Sequence, residues 1–182
     1  RIAATFEMIA TGEAERLSGQ SLQAGAVRIA ASGLALQGCL LRVLARYRRE
    51  FPHVRICLTN HSTPQGLAAV QNGLADLAVV SEGSIVPDSL VKQKVAEVQE
   101  VPVCGAGFSQ LAGKALSLAE LADHPIICLT SGTSSHTFYA DLFRRCDLPF
   151  CPAIEVETVD QVLPVVRSDL GIGFVPREML LG

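Results

Sequence analysis

The sequence predicts two doubly wound α/β lobes, and three observations carry that prediction. Stretches of alternating or continuous apolar residues take turns with stretches whose apolar residues recur every three to four positions. One strand, Asp76-Leu77-Ala78-Val79-Val80, is apolar almost throughout, as expected of a parallel strand covered on both faces. The strand–helix order then starts again in the second half of the chain. At 182 residues, 49% hydrophobic and 18% charged, the chain can fill a core in each of two small lobes.

Taken in order, residues 2–18 carry Ile2, Phe6, Ile9 and Leu17 at helical spacing, which reads as an amphipathic helix with a soft point at Gly12. A polar link, Gln20 to Ala26, ends that segment. Val27 to Ala31 is a short strand turned by Ser32-Gly33. Leu40, Leu44, Tyr47 and Phe51 line one face of a helix over Leu36 to Phe51, with Arg42, Arg46, Arg48 and Arg49 elsewhere and Pro52 as its stop. Val54, Ile56 and Leu58 alternate with Arg55, Cys57 and Thr59, the period of a strand. Ser62-Thr63-Pro64 opens a helix that ends at Gly73. After Pro87, Leu90 to Val103 is extended, with apolar clusters around Glu97, Gln99 and Glu100; it reads as the strand that leaves the first lobe for the second.

In the second lobe, Ser117-Leu118-Ala119-Glu120 is a capping box. Ile126 to Leu129 is a strand, and Thr130 to Ser135 a hydroxyl-rich loop. A helix follows from His136 to Cys146, with Phe138, Leu142 and Phe143 inward. Ala153 to Glu157 is a strand, Val159 to Arg167 a helix interrupted by Pro164, and Gly171 to Val175 a strand.

Composition excludes several functions. The net charge of −3 gives no basic surface with which these residues would neutralise phosphates. The longest uncharged run, Val101 to Gly113, is broken by Pro102, Gly105 and Gly107 and cannot span a membrane. Residues 1–20 lack the pattern of a signal peptide; with a start at Arg1 rather than Met the native N-terminus is expected upstream, which leaves a processed export signal open. Six cysteines without a Cys-x-x-Cys, three of them (Cys57, Cys104, Cys128) in apolar strands, read as free thiols in a reducing cytoplasm.

Ligands of open α/β sheets sit beyond the carboxyl ends of strands, where loops enter helices. Four such junctions are rich in small and hydroxyl residues: Ser32-Gly33; His61-Ser62-Thr63; Thr130-Ser131-Gly132-Thr133-Ser134-Ser135; and Thr158. Helix N-termini favour anions, and hydroxyls add adaptable hydrogen bonds, so the ligand expected is a small anion, most simply a carboxylate. Any one of these hydroxyls also serves as an ordinary helix cap. The long run after Leu129 is the exception, because a single cap would have sufficed.

Catalytic patterns are poor. Gly105-Ala106-Gly107 lacks the third glycine of a dinucleotide loop, and Thr130-Ser131-Gly132 is not a nucleophile elbow. His136 beside Ser134 and Ser135 has unsuitable geometry for attack. No catalytic residue, metal set or cofactor is expected.

Several ordered segments resemble the effector-binding domain of LysR-type transcriptional regulators. They are Val27-Arg28-Ile29-Ala30 with Ser32, the Leu40-to-Pro52 helix, Gly73 to Val79, Leu118 to Leu121 with His124-Pro125-Ile126, and Gly171 to Pro176. The resemblance implies two lobes of the type 2 periplasmic-binding-protein kind with an inducer in an inter-lobe cleft. It also implies a homodimer or tetramer, and DNA binding through an N-terminal helix-turn-helix domain outside this chain. On that basis residues 1–22 are the end of a linker and dimerisation helix, 23–102 the first lobe and 103–182 the second, without the family's C-terminal return to the first. The matching inducer positions are Ser32, Gly33, Ser62, Thr63, Thr130 to Thr133, Thr158 and Val159. A competing reading is an exported solute-binding protein of a transport system. A third is an enzyme on the same fold, for which His61, Glu157 and Asp160 are the available acids and bases.

Overall fold

A computed structural model describes residues 2–11, 25–81 and 85–181. The chain divides into two compact units, Arg1–Gln99 with Glu178–Gly182, and Glu100–Arg177. The division falls inside one long strand, three residues before the expected lobe boundary, and the last residues group with the first unit.

The first unit is built on five strands in the order β3-β2-β4-β1-β5. They are β1 (Ile2–Thr11), β2 (Ala26–Ala31), β3 (Arg55–Asn60), β4 (Leu77–Ser81) and the first part of β5 (Leu90–Cys104). The strands β2, β3 and β4 are parallel, with Ala31 level with Asn60 and Val79. Helix α1 runs from Gly33–Ala35 through a π-helical stretch, Leu36–Leu40, into Leu41–Glu50. Helix α2 is Thr63–Gln71. Ala30, Val70, Ala78 and Val80 form the centre of the core with Ile9 from β1. At the start of β2, Arg28 holds Asp76 through Nη2–Oδ1 at 2.7 Å and also donates to the Gly73 carbonyl. Gly73 itself adopts φ +66°, the left-handed turn that ends α2.

β1 corrects the sequence reading. Residues 2–11 form a strand, not part of a helix, and pair antiparallel with β4 from Phe6↔Ser81 to Ala10↔Leu77. Phe6, Glu7, Ile9 and Ala10 are all buried. A segment covered on both faces shows no two-residue period, so its apolar spacing imitates a helix. The other side of β4 is taken by β2, and β1 supplies hydrogen-bond partners for the side that β2 leaves open. Residues 12–18 of the expected helix lie outside the described residues.

In the second unit the strand order is β5-β8-β6-β7. β6 (Ile126–Leu129) is parallel to β7 (Ile154–Val156) and to β8 (Ile172–Pro176), and β8 is antiparallel to the end of β5. Helix α3 (Leu118–Ala122) begins with the expected capping box, Ser117 N–H donating to Glu120 Oε2 at 2.7 Å. Helix α4 (Ser134–Arg145) buries Ser135, Tyr139 and Phe143, one residue every turn. Phe143 is inward as expected, with Tyr139 as the second inward aromatic in place of Phe138, which is half-buried, as is Leu142. Val159–Gln161 forms a 3₁₀ turn before α5 (Val162–Arg167), so Pro164 stands in the first turn of α5, where no intrahelical N–H is needed.

Candidate functional site

In the first unit two of the expected junctions come together. Ser32 caps α1, its Oγ accepting from Ala35 N–H at 3.2 Å, and Gly33 is the first helical residue. His61 N–H donates to the Ala31 carbonyl at 3.1 Å, tying the end of β3 to that of β2. Ser62 caps α2, with its own N–H donating to Gln65 Oε1 at 2.9 Å. Thr63 Oγ1 accepts from Ser81 N–H at 3.4 Å, which adds the end of β4, a position not anticipated from sequence. His61, Ser62 and Thr63 are half-buried.

The second unit repeats the arrangement. Thr130 N–H donates to the Val156 carbonyl at 2.9 Å, setting the Thr130–Ser135 loop beside Thr158 and Val159. Gly132 has φ +88°, a turn any side chain would strain. Thr133 caps α4: its Oγ1 accepts from His136 N–H at 3.2 Å and donates to the Thr130 carbonyl at 2.8 Å. The hydroxyl proton of Thr133 is thus committed within the loop, whereas Ser131 and Gly132 are exposed. At the next junction Gln161 Oε1 accepts from both Glu157 and Thr158 N–H. Glu157 and Asp160, the acids considered for catalysis, are exposed. Among the described residues no group of His, Cys, Asp or Glu is arranged to hold a metal ion.

Beneath these two junctions lies a small chamber walled by Leu129, Val159 and Phe174, with Glu100, Ser135 and Tyr139 as its polar groups. Glu100 is 4% exposed and Tyr139 2%. Burial pushes the Glu100 carboxyl up to about 7, against the opposing effect of the Tyr139 hydrogen bond. Burial first, then the carboxyl's charge, also holds the Tyr139 hydroxyl well above its ordinary value. Sequence reading missed this pair. The available signal was period: Val98 and Glu100 are both buried two residues apart on β5, so an acid occupies an inward position.

Two α/β units, each with parallel strands ending in joined, hydroxyl-bearing loops, have the fold of the type 2 periplasmic-binding-protein kind. The family model described as the LysR substrate binding domain matches residues 20–181, and the chain belongs to that family. The HTH-type transcriptional regulator YeiE of Escherichia coli K12 is 29% identical over 157 residues, 86% of this chain and 53% of that protein. The HTH-type transcriptional regulator CysB of Haemophilus influenzae is 22% identical over 151 residues, 83% of this chain and 47% of that one. The chain spans about half the length of the curated relatives it matches.

Solved structures agree on the fold. The cofactor-binding domain of the Cbl transcriptional regulator gives a TM-score of 0.64 at 23% identity, over 85% of this chain and 68% of that one. The BenM effector-binding domain with its effector benzoate gives 0.64 at 23% identity, over 86% and 72%.

Proposed function

We propose that this chain is the sensing part of a bacterial LysR-type transcriptional regulator and binds a small anionic effector, most simply a carboxylate. The observation that carries the reading is the 2.9 Å hydrogen bond from Thr130 N–H to the Val156 carbonyl, which sets two strand-end loops side by side. One of them leads into α4, a helix of 12 residues whose N-terminus carries positive character toward the loop. Ser32, Gly33, His61, Ser62 and Thr63 offer a second set of the same kind in the first unit. Ser131 and Gly132, both exposed, carry the groups least committed to the loops' own structure, whereas Thr158 is held in a capping box with Gln161.

The regulator works in the cytoplasm as a homodimer or tetramer, reads DNA through an N-terminal helix-turn-helix domain, and does not turn its effector over. Membership of a regulator family, with regulators as curated relatives, favours this over a solute-binding protein of a transporter. No helix of the described residues is long and apolar enough to cross a membrane.

Thermal unfolding against the sodium salts of a panel of small carboxylates, benzoate among them, tests the reading. A ligand at 100 times its Kd adds about 2.7 kcal/mol to the stability of the folded state. At least one carboxylate is expected to raise the melting temperature saturably and to be recovered unchanged. The matching primary amides, which lack the carboxylate, are run beside the panel; if only compounds without a carboxylate raise it, or if the binder is consumed, the reading is overturned.

A further inference from the structure

The chamber in the second unit has a polar end that the effector reading leaves unused. Glu100 Oε2 accepts from the Tyr139 hydroxyl at 2.9 Å, and among the described residues this is the one hydrogen bond the carboxyl receives. The residues that line the chamber with it are Ser135 and Tyr139 on α4, Ile127, Cys128 and Leu129 on β6, Phe174 on β8, Val159 in the 3₁₀ turn and Val162 at the start of α5. None of the lining residues is basic. Among the described residues this buried carboxyl thus has no cation to balance its ionised form, an arrangement that costs free energy whenever the group ionises.

The space beside it has room for one water-sized group. Its walls include Leu129, the last residue of β6, Ser135 in the first turn of α4, and Val159 next to Thr158. The chamber thus lies directly under the two loops assigned to a carboxylate.

We propose that this chamber is a subsite for an ammonium group, so that the effector is a small zwitterion with a primary amine as well as a carboxylate. The identity of the effector rests on the reading above; the ammonium subsite itself does not. An ammonium head is the size of water, brings three donors, and supplies the positive charge that the lining lacks. Its entry displaces a proton from Glu100 to solvent, leaving a carboxylate–ammonium pair that keeps the Tyr139 hydrogen bond. The residual burial at Glu100 then works as a filter, since an apolar or anionic head leaves the carboxyl uncompensated.

The probe is methylammonium chloride, with tetramethylammonium chloride at equal ionic strength as the control that has charge but no N–H and too large a head. The chain labelled with ¹³C at glutamate carboxyls is titrated with acid and base in each salt, and the Glu100 signal is the one lost in Glu100→Gln. Its ionisation midpoint is expected to fall by about one unit or more in saturating methylammonium, a tenfold linkage or greater, and to stay put in tetramethylammonium. Equal midpoints in the two salts would overturn the proposal and leave the chamber to water. Should Glu100→Gln fail to fold, the signal with the highest midpoint among the glutamates serves as Glu100, and the two-salt comparison still decides. If methylammonium has no effect while a carboxylate raises the melting temperature, the ammonium subsite falls and the carboxylate reading stands.

Discussion

The Tyr139 hydroxyl donates a 2.9 Å hydrogen bond to Glu100 Oε2, and the same ring stacks on Phe174 with centroids 4.4 Å apart. One aromatic side chain on α4 thereby joins β5 to β8 through a polar contact at its tip and an apolar one along its face. Removing the ring would uncover both, whereas removing the carboxyl's charge should relieve the site.

That expectation has a pH signature. The Glu100 carboxyl ionises near 4.5 in the unfolded chain and near 7 when folded. Its contribution is fully present below pH 4.5 and is lost as pH rises toward 7, at most about 3 kcal/mol for a shift of this size. Urea unfolding of parent and Glu100→Gln at pH 4.5 and pH 8 isolates this contribution, because the other carboxylates are common to both. The parent should lose stability relative to the variant across that range; a constant difference would show that Glu100 is not buried in ionisable form.

Ser131 and Thr133 should separate binding from stability. Thr133 Oγ1 closes both a cap and a loop hydrogen bond, so Thr133→Val is expected to cost about 1 kcal/mol of stability before any ligand is added. Ser131 is exposed and takes no part in that cap. Ser131→Ala should leave the unliganded melting temperature unchanged. If Ser131 bonds the effector, its loss weakens binding roughly ten- to a hundredfold, or about 1.5–3 kcal/mol. Calorimetric titration of the carboxylate that binds best checks it, and an unaltered Kd would remove Ser131 from the site.

Gly38 sits in the π-helical stretch against β5. A Cβ placed there would stand 2.5 Å from Val98 Cγ1, too close for either atom. Gly38→Ala is expected to cost about 1–3 kcal/mol in urea unfolding. Adding Val98→Ala should recover part of that loss, giving a coupling opposite in sign to the single effects. Strictly additive losses would mean that the two residues do not touch.

Thiol reactivity should follow burial. Cys128 is buried and its thiol is pushed up to about 12, chiefly by that burial. Cys146 and Cys151 are exposed. Iodoacetamide at pH 8 should alkylate Cys146 and Cys151 in the folded chain and reach Cys128 only on unfolding. Peptide mass spectrometry reads the order, and early labelling of Cys128 would contradict the packing of β6.

Much of this molecule is determined by the sequence alone, because the signals are local. The spacing Ser117-Leu118-Ala119-Glu120 makes its own capping box, and Ser32, Ser62 and Thr133 each cap the helix that follows them within three residues. The order of strands and helices from Ala26 onward, and the junctions where loops enter helices, follow from such short-range rules. Only the tertiary structure decided the rest. Residues 2–11 became a strand because β4, some 70 positions on, offered an edge, and a segment buried on both faces carries no period to announce this. Glu100 and Tyr139 meet across 39 residues, and the shift of the carboxyl is set by desolvation among Ile127, Cys128, Val162 and Phe174 rather than by its neighbours in sequence. Capping and periodicity are written within a turn or two of chain. Strand pairing and the dielectric around a buried acid depend on residues that meet only once the chain has folded.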